Sequence, residues 1–168
     1  MEPIKTIFTP LTGGCQCGMV RYVFDRPPEN VHVCHCRMCQ KAVGGPFAVI
    51  SPVHKSAFRL TRGEISWFIS SALARRGFCK NCGTPLIFDY PDAPDIGILA
   101  GSFDDPARVP PVVQYGIESR LSWYQQLHTL PGDEPTYAVD PEEYLPRIKR
   151  SNQQHPDHDT QHWTPRKP

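Results

Sequence analysis

The chain has 168 residues, enough for one domain with a sizeable buried core and a tight fit for two. Its 18 Lys and Arg stand against 17 Asp and Glu, so a formal charge of +1 gives no overall field to draw it onto nucleic acid or an anionic membrane. "MEPIKTIFTPLTGG" lacks the apolar core of a signal peptide, and no stretch approaches the roughly 18 apolar residues of a membrane span; the expectation is a soluble cytoplasmic protein whose seven cysteines are not used as disulfides.

In chain order, residues 1–10 read as an N-terminal extension and 11–135 as the folded domain. Short runs rich in β-branched and aromatic residues recur as predicted strands: "MVRYVF" (19–24), "VHV" (31–33), "FAVI" (47–50), "FRLT" (58–61), "ISWFIS" (65–70), "PLIFDY" (85–90), "IGILAG" (96–101) and "VVQYGI" (112–117). Gly, Pro, Asp or Asn bounds each of them, which is how strands and turns are punctuated. Helix is minor: "CRMCQKAV" (36–43), ended by Gly44 and Gly45, and "RLSWYQQLH" (120–128) are the two short candidates. Residues 136–150 read as a C-terminal extension packing on or near the domain. The segment 151–168, "SNQQHPDHDTQHWTPRKP", is polar and nearly free of aliphatic residues, so it reads as a disordered, dispensable tail whose His155, His158 and His162 bind metal only adventitiously. Trp67, Phe68, Trp123 and Tyr124 read as core aromatics.

The cysteines carry the chemistry. They fall in groups of two, three and two: "GGCQCG" (Cys15, Cys17), "VCHCRMC" (Cys34, Cys36, Cys39) and "FCKNCG" (Cys79, Cys82). A glycine follows the second thiol of each outer pair, Gly18 and Gly83, as a metal-binding knuckle requires when its backbone turns tightly through positive φ. Two such knuckles make a closed four-thiolate zinc site that ties distant segments together. The three remaining thiolates suit a zinc with one open position, the arrangement of catalytic sites. Two alternatives stand beside it: His32, His35 or His54 closes the second site, or Cys34, Cys36 and Cys39 are core or redox thiols.

These three segments, in this order and at these separations, resemble the glutathione-dependent formaldehyde-activating enzyme family, which also includes the domain of centromere protein V. The resemblance extends to "SWYQQLHTLPGD" (122–133). It implies a mainly β fold, a β-tent of several coiled antiparallel sheets with few short helices. It also implies two zinc ions, one structural on Cys15, Cys17, Cys79 and Cys82 and one catalytic on Cys34, Cys36 and Cys39. The implied activity is that of a carbon-sulfur lyase that joins glutathione and formaldehyde as S-hydroxymethylglutathione. Glutathione carries two carboxylates, so Arg37, Lys41, Arg75 and Arg76 beside the cysteine groups are candidate anchors. Gly44 and Gly45, in "GGPF" (44–47), are candidates for close backbone approach to a peptide-like ligand. The partner is thus a small-molecule thiol, with no nucleic acid or membrane, and the oligomeric state stays open. A zinc-stabilised binding module without turnover, and a thiol redox protein, are the competing classes.

Overall fold

Ten short strands carry the fold in the computed structural model, which describes residues 8–132 and 144–165. In chain order they are β1 (Leu11–Gly14), β2 (Arg21–Phe24), β3 (His32–Cys34), β4 (Ala48–His54), β5 (Phe58–Arg62), β6 (Ser66–Ile69), β7 (Arg75–Phe78), β8 (Pro85–Asp89), β9 (Asp95–Leu99) and β10 (Val113–Tyr115). Two α-helices accompany them among the described residues, α1 (Arg37–Val43) and α2 (Tyr144–Ser151). The protein is mainly β.

The strands form two sheets among the described residues. One has the order β1-β2-β5, the other β10-β3-β4-β9-β8-β7-β6. All pairings are antiparallel except β10 with β3, which is parallel because the chain crosses over after β9 before returning beside β3. That last pairing sets Tyr115 opposite Cys34.

The core lies where the inward positions of both sheets meet. Tyr22 and Phe24 of β2 pack with Phe58 and Phe103, with ring centroids 5.5–6.5 Å apart. Leu86, Ile87 and Ile98 of β8 and β9 are almost fully buried, and each such side chain contributes on the order of 2 kcal/mol of burial. Two charges are buried with their partners: Arg21 lies between Asp104 (2.5 Å) and Asp159 (2.7 Å), and Asp89 between Lys55 (3.0 Å) and Arg75 (2.7 Å).

α1 starts where Cys36 caps it, its Sγ accepting from the Cys39 N–H at 3.4 Å, and stops at Gly44 in the left-handed region (φ 63°). The second helical candidate is a 3₁₀ segment, Tyr124–Thr129. Two strands escaped sequence analysis, β1 and β7, because "LTGG" and "RRGF" have too few apolar residues to show a period. The expectation that Trp67, Phe68 and Trp123 are core aromatics is corrected: they are 36%, 62% and 45% exposed. Trp67 and Phe68 lie on β6, the edge of the larger sheet, where Arg75 stacks over Trp67 at 4.0 Å. No helix among the described residues is long and apolar enough to cross a membrane. Residues 136–143 of the expected C-terminal extension lie outside the described residues, and α2 beyond them is mostly exposed.

Candidate metal centres

The first cluster is made by two tight turns. After β1 the chain turns through Cys15 to Gly18, with the Gly18 N–H donating to the Cys15 carbonyl (3.0 Å), and returns as β2. Between β7 and β8 a turn one residue longer does the same, with the Gly83 N–H donating to the Cys79 carbonyl at 2.8 Å. Gly18 and Gly83 have φ of 72° and 74°, so the glycine after the second thiol of each pair has the conformation its position demands. The turns bring the sulfurs of Cys15, Cys17, Cys79 and Cys82 within 4.8 Å of one another. Sulfurs at about 2.3 Å from one zinc stand roughly 3.8 Å apart in a tetrahedron. The measured Cys15–Cys17 and Cys17–Cys79 separations are 3.6 and 3.9 Å, so the residues fit a four-thiolate metal and are far too distant for disulfides.

Polar donors surround these sulfurs. The Val20 N–H and the Asn81 side-chain amide donate to Cys15 and Cys17, each at 3.2 Å, and the Thr84 hydroxyl lies 3.1 Å from Cys82. Burial pushes the Cys15 and Cys79 thiols up. Burial also works against the Cys82 thiolate, but hydrogen bonds from Thr84 and from the Cys17 backbone outweigh it and bring that thiol down to about 6.

The second cluster is built from one local segment. β3 ends at Cys34, Cys36 caps α1, and Cys39 sits in the first turn of the helix, where the cap curls the backbone back and gathers the three sulfurs within 4.8 Å. No histidine or carboxylate joins them among the described residues. Burial pushes Cys34 up to about 12 and raises Cys39, the latter opposed by Arg76. Cys36 moves the other way: backbone donors at Cys39 and Met38 and the neighbouring thiols outweigh its burial. The Arg76 guanidinium donates to Cys39 Sγ at 3.6 Å. All three thiols line a cavity of about 460 Å³ that Arg76, Phe88 and Tyr115 also line.

Residues 10–119 match the family described as glutathione-dependent formaldehyde-activating enzyme. The chain belongs to that family. It is 32% identical over 78 residues to an uncharacterized lyase of Schizosaccharomyces pombe, an alignment covering 46% of this chain and 56% of that relative. The chain thus spans little more than half the length of this curated relative. A solved structure of a Rhodobacter sphaeroides protein is similar over 61% of this chain and 98% of that one, with 21% identity and a TM-score of 0.48.

Within this family frame, the candidate anchors separate. Arg76 alone among them lines the cavity onto which the three thiols open. Arg37 and Lys41 line an adjacent groove of about 480 Å³ with Met38, Phe68 and Arg76. Gly44 and Gly45 border a different depression with Leu121 and Trp123, away from the thiols. Arg75 is bound to Asp89. The histidines are engaged elsewhere. His35 is fully buried with its Nε2 2.8 Å from the Gln114 side-chain Oε1, His32 Nδ1 lies 2.9 Å from the Asn30 backbone carbonyl, and His54 Nδ1 lies 2.7 Å from the Ser56 hydroxyl.

The feature that sequence reasoning missed is the tail, and the expectation of a free segment is corrected. The His155 N–H donates to the Gln16 carbonyl (2.7 Å), and the Trp163 indole N–H donates to the Cys17 carbonyl (2.7 Å). Asp159 accepts from Arg21, and Arg62 donates to the Thr160 backbone carbonyl and hydroxyl. His155 is 3% exposed, and a Cβ on Gly18 would lie 2.3 Å from its ring and 2.5 Å from Trp163. The tail docks with polar bonds and two rings, so counting aliphatic residues could not reveal it. The family match ends at residue 119, well before this clasp.

Proposed function

We propose that the protein is a zinc-dependent carbon-sulfur lyase acting on a small thiol adduct, with glutathione plus formaldehyde to S-hydroxymethylglutathione as its leading reaction. The observation that carries this reading is the three-thiol cluster, which has no fourth protein ligand among the described residues and opens on a cavity. The four-thiol cluster would hold a structural zinc, and the three-thiol cluster would hold the working one. A zinc bound there supplies a Lewis acid and favours the anionic form of a thiol at neutral pH.

The chain's own groups do the rest. Cys34, Cys36 and Cys39 present three sulfurs from one rigid cap, so the open side is fixed by α1 and β3. Arg76, held by a bond from its Nε to Ser70 (3.1 Å) and lying 5.0 Å from the Phe88 ring, keeps a positive charge at the mouth of the cluster. A thiolate arriving there meets that charge, and so does the oxyanion that forms as its sulfur attacks a carbonyl carbon. The test is metal analysis together with NMR exchange between formaldehyde and its glutathione adduct. Two zinc ions per chain and exchange that Cys36→Ser abolishes are expected. One zinc, or a three-thiol site that binds no thiol, overturns the reading in favour of a binding module.

A further inference from the structure

The walls of the cavity beside the three thiols say more about the substrate than the cluster does. Two edge-to-face aromatic pairs line it: His32 with Tyr115, centroids 4.9 Å apart, and Phe88 with Tyr90, 4.8 Å apart. Ile50 and Ile96 add aliphatic surface. Tyr90 and Tyr115 are 50% and 45% exposed and line one concave site, and exposed apolar area gathered in a concavity marks a ligand surface. The charges are few. Arg76 is the one Lys or Arg lining the cavity, no carboxylate pairs with it among the described residues, and the one acidic residue lining it is Asp95.

Formaldehyde uses none of these walls. At about 460 Å³ the cavity is in the range that holds ligands of many heavy atoms. A tripeptide with two carboxylates would meet one cation, an opposing carboxylate and four aromatic rings there. We propose that this cavity is the subsite for the carbonyl half of the adduct, and that it takes, besides formaldehyde, an aldehyde carrying an aromatic or other bulky apolar group. The inference rests on the thiol-adduct reading above.

The step balances without an oxidant. The thiol sulfur forms a bond to the aldehyde carbon, the carbonyl π pair moves to oxygen, and the proton lost from the thiol ends on that oxygen as a hemithioacetal hydroxyl. The reverse breaks the carbon-sulfur bond and returns thiol and aldehyde. The ring of an aryl aldehyde buries against Phe88 and Tyr115, while Arg76 faces the oxygen as charge builds on it.

The experiment is isothermal titration of the zinc-loaded protein with benzyl mercaptan and with 2-mercaptoethanol, then with S-benzylglutathione and S-methylglutathione. Benzyl mercaptan is expected to bind roughly tenfold or more tightly than 2-mercaptoethanol, the effect of burying one ring. The double variant Tyr90→Ala with Tyr115→Ala should bring that preference within about threefold, and Met38→Ala, at an exposed helix position lining the same cavity, should reduce it in part. Equal affinity for the two thiols in wild type, or a preference unchanged in these variants, overturns the proposal. The glutathione pair separates it from the reading beneath it. If neither derivative binds but the benzyl preference stands, the cavity takes an aryl group carried by the thiol itself, and its assignment to the carbonyl half falls. If both bind equally, glutathione stands and the aryl subsite falls.

Discussion

The four-thiol and three-thiol clusters use the same residue type at the same internal spacing of sulfurs, yet they differ in what their chain segments are doing. Cys15 and Cys17 lie between β1 and β2 of the smaller sheet, and Cys79 and Cys82 between β7 and β8 of the larger, so a metal there links the two sheets. Cys34, Cys36 and Cys39 come from one strand end and one helix cap, so a metal there links nothing that β3 and α1 have not already joined. No cation touches the first set of sulfurs among the described hydrogen bonds, which come from neutral donors. Arg76 touches the second. On the proposed reading, equal chemistry serves cohesion in one place and ligand access in the other, and the difference lies in sequence separation and in the neighbour that faces each set of sulfurs.

The largest break in that symmetry should come from Cys17→Ser against Cys36→Ser. Cys17 contributes to the cross-sheet cluster, and its loss removes a ligand while leaving buried thiols with no metal to neutralise them. The expected cost is about 3 kcal/mol or more, a large part of a typical domain's stability, with a fall in Tm of roughly 6–12 °C or more. Cys36→Ser should lose about one equivalent of zinc while shifting Tm by less than roughly 3 °C. Calorimetry and metal analysis of the two variants side by side check this. Equal destabilisation by both would make the second cluster structural.

The next effect sharpens the contrast, because a further segment braces only the first cluster. A chain ending at Arg150 loses Asp159 from the buried Arg21 and exposes the turn at Gly18. Asp104 still pairs with Arg21, so the penalty is partial: about 2 kcal/mol, or a drop in Tm of roughly 4–8 °C. Zinc should leave the four-thiol cluster of the shortened chain faster when a chelator is added, while thiol binding at the other cluster is unchanged. Identical melting and chelation would return the tail to the free segment that its composition suggests.

That tail shows where sequence reading stops. The partition of seven cysteines was legible because ligand geometry is written locally: two thiols, a glycine at positive φ, and Cys36 doubling as helix cap. The family resemblance was legible for the same reason. The tail was not, since its anchors are polar contacts to Gln16, Cys17, Arg21 and Arg62, and no periodicity announces a bond between residues 17 and 163. Nearness in sequence also misled: Gly44 and Gly45 follow the thiols along the chain but border another depression, whereas Arg76, 37 residues beyond Cys39, is the cation that reaches its sulfur. β7 explains that, for it places Arg76 on a strand whose Arg-Arg-Gly-Phe run carries no apolar alternation.

The smallest expected effect is a pH dependence confined to the braced cluster. Burial holds the His155 ring below its ordinary pKa of 6.5, helped by the nearby cations Arg21 and Arg62. A depressed histidine stabilises docking while neutral, so the contribution is complete above about 6.5 and is lost as pH falls from there through the docked value. The docked carboxylate arrangement acts in a separate window: burial opposes the Asp104 charge, but bonds from Arg21 and Thr12 outweigh it and hold that carboxyl below 3.8, so its contribution persists until far more acid conditions. The difference in Tm between the full chain and the chain ending at Arg150 should therefore shrink between about pH 7.5 and about pH 5. The tail braces the cluster, so acid release of metal differs between these two proteins, and the histidine is isolated by a variant that leaves the tail in place. His155→Phe, which keeps a ring against Trp163 but cannot take up a proton, should flatten the profile. A gap that stays constant with pH, or that narrows equally with Phe at 155, would show that the clasp is held by Asp159 and Trp163 alone.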